Sequence, residues 1–145
     1  MTSTPPTDTT PHDVLDPAGW KPARGYANGI AASGHTIYLG GTIGWNGQQQ
    51  FEHDDFVGQA RQCLQNIVDI LAEGGAGPEH LVRMTWYITS RDEYLANLKE
   101  LGGAYREIIG GHYPAMAMVQ VVALMEAQAK VEIEATAVVP EDIAP

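Results

Sequence analysis

The run from Lys130 to Val139 constrains the fold of this chain more than any other segment. From Val131 to Ala137 its residues alternate between two kinds of side chain. The apolar positions are Val131, Ile133, Ala135 and Ala137, and the polar positions are Glu132, Glu134 and Thr136. Successive side chains of a strand point to opposite faces of a sheet. The segment therefore predicts a β-strand with one face in a core and one polar face.

Two further segments carry a helical period. The first stripe follows Asp54-Asp55, ends at Gly74-Gly75, and consists of Phe56, Ala60, Cys63, Leu64, Ile67, Val68 and Leu71. The second stripe follows Ser90, ends at Gly110-Gly111, and consists of Tyr94, Leu95, Leu98, Leu101, Tyr105 and Ile108. Apolar residues at steps of three and four predict amphipathic helices, and Ser90 with Glu93 is a capping-box pattern.

The remaining apolar runs predict strands at 26–32, 36–43, 81–89 and 115–123. Ser33-Gly34-His35 between the first two indicates a hairpin. The order β-β-α-β-α-β-β predicts an α+β fold with two helices on one face of the sheet. We place Met116, Met118, Gln120 and Val122, which share one parity, on the uncovered face. An apolar patch there would favour burial in a symmetric homo-oligomer.

Composition bounds the domain organisation and the classes of function. We predict a flexible N-terminal tail at 1–16, rich in Thr and Pro, a single domain at 17–140 and a C-terminal tail at 141–145. The net charge of −10 disfavours nucleic acid as a partner. The absence of a signal sequence or an apolar run of membrane-spanning length predicts a cytoplasmic protein without a membrane partner.

Neither a metal site nor a nucleotide site is indicated. The five histidines show no ligand spacing, and no glycine-rich phosphate motif is present. The single cysteine, Cys63, falls on the apolar stripe of the first helix, so we expect it in the core rather than acting as a nucleophile.

Several segments together resemble one family. Tyr113-Pro114-Ala115-Met116-Ala117-Met118-Val119-Gln120-Val121 and Lys130-Val131-Glu132-Ile133-Glu134-Ala135-Thr136-Ala137-Val138 resemble the C-terminal signature of the Rid (YjgF-like) enamine/imine deaminases. Gly25-Tyr26, Gly40-Gly41 and the helix around Gln59-Ala60-Arg61-Gln62 also match its pattern. The resemblance implies a chorismate-mutase-like sheet of about five to six strands. It also implies a homotrimer in which the sheets form an inner barrel and small molecules bind between subunits.

The resemblance also implies site residues. Deaminases of this family grip the substrate carboxylate with an arginine in a Pro-Ala-Arg motif, because a guanidinium donates two parallel hydrogen bonds. This chain has Met116 at that position, and Met118 stands where the family often has Cys. Glu132 matches the glutamate that activates water, and Tyr26 matches a pocket tyrosine.

Three further residues are candidates for the same pocket. Gly41 belongs to a glycine pair that matches the family. Arg24, two residues before Tyr26, could replace the missing cation or could be solvated. Trp45 could be a pocket wall or an ordinary packing aromatic.

The resemblance implies a hydrolase of an enamine or imine that needs no cofactor. Because Met116 cannot hold a carboxylate, we expect a substrate different from the usual 2-imino acids. The alternative is a non-catalytic trimeric module that binds a small molecule, which the missing arginine favours. Ribonuclease activity, reported for some relatives, is disfavoured by the net charge.

Overall fold

The structure is a computed structural model that describes residues 9–141. Within this range the strands are β1 (Asp13–Leu15), β2 (Gly29–Ala31), β3 (His35–Ile43), β4 (Leu81–Ile88), β5 (Ala115–Gln120) and β6 (Val131–Val139). The α-helices are α1 (Phe56–Glu73), α2 (Arg91–Ala96) and α3 (Leu98–Ile108). The predicted α+β class is confirmed.

The main sheet has four strands in the order β3-β6-β4-β5. β6 pairs antiparallel with β3 and with β4, whereas β4 and β5 are parallel. The burial of side chains along β6 follows the alternation from which this strand was predicted. Val131, Ile133 and Ala137 are fully buried, and Glu134 between them is exposed.

The helices cover the buried face of this sheet, as predicted. The apolar stripe of α1 joins one core cluster with β4, β6 and α3. Asp55 caps α1 by accepting a hydrogen bond from Gly58 N at 2.8 Å, and Gly74 is the C-cap. The second predicted helix is divided into α2 and α3 at Asn97, whose side chain donates to Glu93 O at 2.7 Å.

A buried amide on α1 positions the start of β6. Gln59 is 1% exposed, and its Nε2 donates to His53 O at 3.1 Å and to Gln128 O at 3.0 Å. Its Oε1 accepts from Lys130 N at 2.8 Å. All three groups that it binds are backbone groups, so Gln59 joins the loop before α1 to the segment that leads into Glu132.

The predicted hairpin between 26–32 and 36–43 is wrong. β2 pairs antiparallel with β1 in a separate two-stranded sheet, whereas β3 pairs with β6. Gly34 lies between β2 and β3 with φ +144°, where a side chain would collide with the backbone of Val139 and Pro140. The glycine therefore serves close packing against the end of β6 and not a tight turn between paired strands.

The predicted face of Met116 and Met118 is also wrong. The parallel register places Met116 beside Met84 and Met118 beside Trp86. Met84 and Trp86 are buried beneath the helices, so both β5 methionines lie on the helix-covered face. The same register places Gln120 on the covered side, beside buried Ile88. Alternation assigns residues to two faces, but it does not say which face meets the helices.

Val122, the last member of that predicted patch, lies beyond the end of β5 and is fully exposed. These four residues therefore do not form an apolar patch on the uncovered face, and they no longer support an oligomer. The homotrimer stays a prediction from the resemblance alone.

The part of the N-terminal segment that the structure describes, from residue 9 onward, is more ordered than the predicted flexible tail at 1–16. Residues 1–8 lie outside the described range, but Asp13–Leu15 forms β1. Buried His12 contacts His80 O through Nε2 at 3.2 Å, and Thr10 Oγ1 donates to Glu79 O at 2.7 Å. Polar contacts and pairing with β2 anchor this stretch, whose apolar side chains Val14 and Leu15 are exposed.

Candidate functional site

The face of the main sheet that the helices leave uncovered is called the open face below. Its residues, read from the strand registers, are Tyr38, Arg83, Thr85, Tyr87, Ala115, Ala117, Val119, Glu132, Glu134 and Thr136. Glu132 lies on this face as predicted for the polar side of β6, and it is partly buried.

The local structure around Glu132 depends on Gly41. The β3–β6 register shifts between Leu39 and Thr42, which leaves Gly40 and Gly41 in a β-bulge. A Cβ atom added at Gly41 would lie 2.9 Å from Glu132 Cδ, closer than carbon atoms normally approach. The Glu132 carboxylate therefore occupies the space that a side chain at residue 41 would need.

The two glutamates of β6 have different partners. Tyr87 Oη donates to Glu134 Oε1 at 2.6 Å, and this hydrogen bond raises the pKa of Tyr87. Tyr87 is also the register neighbour of Glu132. Within residues 9–141, no hydrogen-bond donor or cation pairs with the Glu132 carboxylate. Glu132 is therefore free to accept a proton from a water molecule or a ligand.

Met116 and Met118 line a cavity of about 350 Å³ on the covered side of β5, called the β5 cavity below. It lies between β5, the α2–α3 pair and the segment that holds Arg24. The lining residues are Arg24, Gly25, Trp86, Tyr94, Leu98, Leu101, Gly102, Tyr105, Arg106, Tyr113, Met116 and Met118. Arg24 thus joins the two methionines, as one alternative from the sequence had it.

Arg106 is a cavity residue that sequence reasoning missed. It follows Tyr105 on α3, at the border of the apolar stripe, and such a position is more often simply solvated. One feature of the sequence could have indicated it. Gly102 lies one turn before Arg106, so a small residue and a cation share one side of the helix.

Tyr26 lies near this cavity without lining it. Its side chain is 45% exposed and lines a separate cavity of about 260 Å³. Ala27 N donates to Pro114 O at 3.0 Å and ties this segment to the start of β5. Tyr113 lines both cavities. Tyr26 is therefore grouped with the β5 end of the sheet rather than with Glu132.

Trp45 lies in the loop after β3. Its ring packs against Phe51 with centroids 5.9 Å apart, and its carbonyl accepts from Asn66 Nδ2 at 2.7 Å. It lines neither the β5 cavity nor the Tyr26 cavity. Its role in a pocket stays a prediction.

Cys63 is buried, and its thiol contacts Thr42 O at 2.9 Å. Burial raises the pKa of this thiol, which keeps it protonated and unreactive. In the described part of the chain, no three His, Cys, Asp or Glu side chains are grouped to hold a metal ion. The helices of residues 9–141 include none long and apolar enough to cross a membrane.

The site residues thus form two groups on opposite sides of one sheet. Glu132 and Gly41 belong to the open face, whereas Met116, Met118 and Arg24 belong to the β5 cavity. The class of protein is defined by an α+β sheet with one layer of helices on its covered face and a carboxylate over a glycine bulge on its uncovered face.

The comparisons with known proteins give the family. The sequence model described as Endoribonuclease L-PSP matches residues 18–139. The chain belongs to this family, the Rid (YjgF-like) family. Its membership had been predicted from the sequence and is confirmed.

Two relatives are similar along most of their length. A Myxococcus xanthus protein named DfrA is 35% identical over 107 residues, which cover 73% of this chain and 78% of the relative. A goat (Capra hircus) 2-iminobutanoate/2-iminopropanoate deaminase is 32% identical over 104 residues, which cover 71% of this chain and 72% of the relative.

Solved structures of the family share the fold. A Rid family protein of unknown function from Yersinia pestis has a TM-score of 0.78 at 27% identity, over 88% of this chain and 98% of that one. RidA from an Antarctic Psychrobacter has a TM-score of 0.63 at 25% identity, over 95% of this chain and all of that one.

Proposed function

We propose that this protein is a cofactor-free hydrolase that removes ammonia from a reactive enamine or imine. The family membership and the likeness to a 2-iminobutanoate/2-iminopropanoate deaminase support this. The single observation that carries the proposal is the Glu132 carboxylate, which lies over Gly41 with no protein partner in the described range.

Imine hydrolysis needs a base and an acid in turn. Glu132 takes a proton from water while the water oxygen forms a bond to the imine carbon. The same carboxyl group then gives the proton to nitrogen, which forms a carbinolamine. Glu132 next takes the proton of the new hydroxyl group and passes it to the amino nitrogen, so that the C=O bond forms, the C–N bond breaks, and the products are a carbonyl compound and ammonia. A positioned carboxylate can contribute roughly 10²- to 10⁴-fold to such a step.

The proposed active site needs two protomers. Within one chain the main sheet separates Glu132 from Met116, because the two side chains lie on opposite faces. They can line one pocket only if Glu132 comes from one chain and Met116 from another. This fits the homotrimer with pockets between subunits that the resemblance implies.

The substrate is proposed to differ from the usual 2-imino acids. Met116 offers an adaptable apolar surface where the deaminases of this family have a carboxylate-binding arginine. Met118, Trp86 and the tyrosines of the β5 cavity extend this surface. A larger and more apolar imine fits such a pocket better than a short one does.

The test compares two glutamates on the same strand. Ammonia release would be measured on a panel of imines generated in situ, with Glu132→Gln as the test variant and Glu134→Gln as its control. We expect Glu132→Gln to lose at least about 100-fold in kcat/KM, and we expect Glu134→Gln to stay within a few-fold of the parent protein. Full activity of Glu132→Gln on every accepted imine would contradict the mechanism.

A second function is a non-catalytic trimeric module that binds a small molecule. The observation that favours it is Met116, since the residue that grips substrate in the deaminases of this family is missing. A thermal-shift screen run beside the ammonia assay separates the two functions. Saturable ligand binding without turnover across the panel would favour the module.

A further inference from the structure

We propose that the β5 cavity binds an aromatic carboxylate, with Arg24 and Arg106 as its cations. This inference rests on the proposed function, because it takes the β5 cavity as one half of the proposed active site and names the substrate class. Met116 stands where the deaminases of this family have an arginine, and it cannot supply a positive charge. The positive charges would instead come from Arg24, in the segment before β2, and from Arg106 on α3.

The distribution of charge supports an anionic ligand. The chain has 8 basic and 18 acidic residues, yet Arg24 and Arg106 line the β5 cavity and no acidic residue does. An adjoining cavity of about 340 Å³ adds Arg91, again without an acidic residue. Arg61 and Lys130, by contrast, each pair with a glutamate at 2.6 Å. Within residues 9–141, six basic residues lack a carboxylate partner, and three of them, Arg24, Arg91 and Arg106, line these two adjoining cavities.

Trp86 leaves a buried hydrogen-bond donor in the wall of the cavity. Its indole is only 2% exposed and lines the β5 cavity. Within residues 9–141, its Nε1 has no hydrogen-bond acceptor. A buried donor without a partner is unfavourable, and buried polar groups nearly always have one. Nε1 itself has almost no accessible surface, so a ligand oxygen would reach this donor only after the cavity wall moves.

Gly102 keeps the cavity open. It lies in the middle of α3, where glycine is less favourable than alanine. A Cβ atom at residue 102 would lie 3.4 Å from Arg106 Nη1, and Gly102 itself lines the cavity. A larger side chain would therefore enter the cavity and displace the guanidinium. The adjacent Gly103 faces open space.

The remaining walls suit a ring. Tyr105 and Tyr113 stack with centroids 4.8 Å apart, and Met116 and Met118 form a flexible thioether surface. Methionine sulfur makes favourable contacts with aromatic rings. The volume of about 350 Å³ lies at the small end of typical ligand pockets. One ring with a short acidic side chain fits these dimensions and charges.

The experiment measures binding by isothermal titration calorimetry of the full-length protein. The probes are 3-phenylpropionate, its neutral amide 3-phenylpropionamide, and propionate, which keeps the charge and lacks the ring. We expect 3-phenylpropionate to bind with a dissociation constant on the order of 1 mM or below. The other two probes should bind at least about tenfold more weakly.

Matched variants assign the binding to the cavity. Arg24→Gln and Arg106→Gln should each weaken the binding of 3-phenylpropionate by about tenfold. Lys99→Gln, on the same helix as Arg106, should leave it unchanged. Gly102→Leu should abolish binding, whereas Gly103→Leu should retain it.

Two results would overturn the inference: equal binding of the amide and the carboxylate, or arginine variants that behave like Lys99→Gln. The inference and the proposed function can fail separately. Ammonia release that depends on Glu132, without binding of 3-phenylpropionate, would contradict the inference and leave the proposed function standing. Binding that requires both arginines, without turnover of any imine, supports the inference and contradicts the proposed hydrolase.

Discussion

Gly41→Ala should disable the proposed hydrolase while leaving the fold intact. The new Cβ would lie 2.9 Å from Glu132 Cδ, whereas carbon atoms in contact prefer about 3.5–4.0 Å. The carboxylate must therefore move by about 1 Å to restore normal contact. A misplacement of that size at a reacting group can lower the rate by about 100-fold. We expect kcat/KM to fall by roughly 10- to 100-fold, which corresponds to about 1.4–2.7 kcal/mol.

The neighbouring glycine is the control. A Cβ atom at Gly40 would meet no atom within 4 Å, and neither glycine has a positive φ. Gly40→Ala and Gly41→Ala should both have melting temperatures at or slightly above that of the parent protein, because alanine restricts the unfolded chain. Steady-state ammonia release from an accepted imine is the assay. Equal activity of the two stable variants would refute the idea that Gly41 positions Glu132.

Further predictions concern stability, measured as the free energy of unfolding in urea or as the melting temperature. Asp55→Ala should lower the free energy of unfolding by about 1 kcal/mol through loss of the α1 cap, and Asp54→Ala should change it little. Gln59→Leu should lower the free energy of unfolding by at least about 2 kcal/mol, because three partly buried backbone groups lose their hydrogen-bond partner; an unchanged urea midpoint would contradict this. Burial lowers the pKa of both His80 and His112 in the folded state, so below their ordinary pKa the unfolded chain binds more protons. The melting temperature should therefore fall as the pH drops from about 7 to about 5, and replacing both histidines with glutamine should reduce this pH dependence.

The elements that the sequence predicted well are those whose signal is local. The apolar stripe of α1 and the alternation of β6 each depend only on which residues of that one element are buried. The helices and strands therefore lie near the positions predicted from the sequence. The second helix was predicted as continuous, because a stripe at helical spacing passes through Asn97 without interruption. Its division follows from a side-chain hydrogen bond to Glu93 O that spacing does not encode.

The errors concern long-range pairing. The hairpin prediction assumed that strands adjacent in sequence pair with each other, but β3 pairs with β6, about 100 residues later. Met116 and Met118 were assigned to the wrong face because strand parity is symmetric until the position of the helices is known. Avoiding either error would have required tertiary information, because local propensity does not encode strand partners or the position of the helices.

The candidate site was predicted in part. The resemblance supplied Glu132 and Gly41, and the structure places them in contact. It also supplied Met116 and Met118. Arg24 was a candidate because it lies two residues before Tyr26, and it lines the same cavity as the two methionines. Arg106 could not be found this way, since one basic residue beside an apolar stripe usually marks a solvated border.

The central claim, a site that joins Glu132 of one protomer to the β5 cavity of another, is tested most directly by mixing two inactive proteins. One carries Glu132→Gln and the other Gly102→Leu, and the two are unfolded together in equal amounts and refolded into mixed assemblies. In random mixtures about one quarter of the sites combine an intact cavity with an intact glutamate. We predict that ammonia release returns to about a quarter of the parent activity. A mixture that stays as inactive as its two components, while refolded parent protein is active, would contradict the claim.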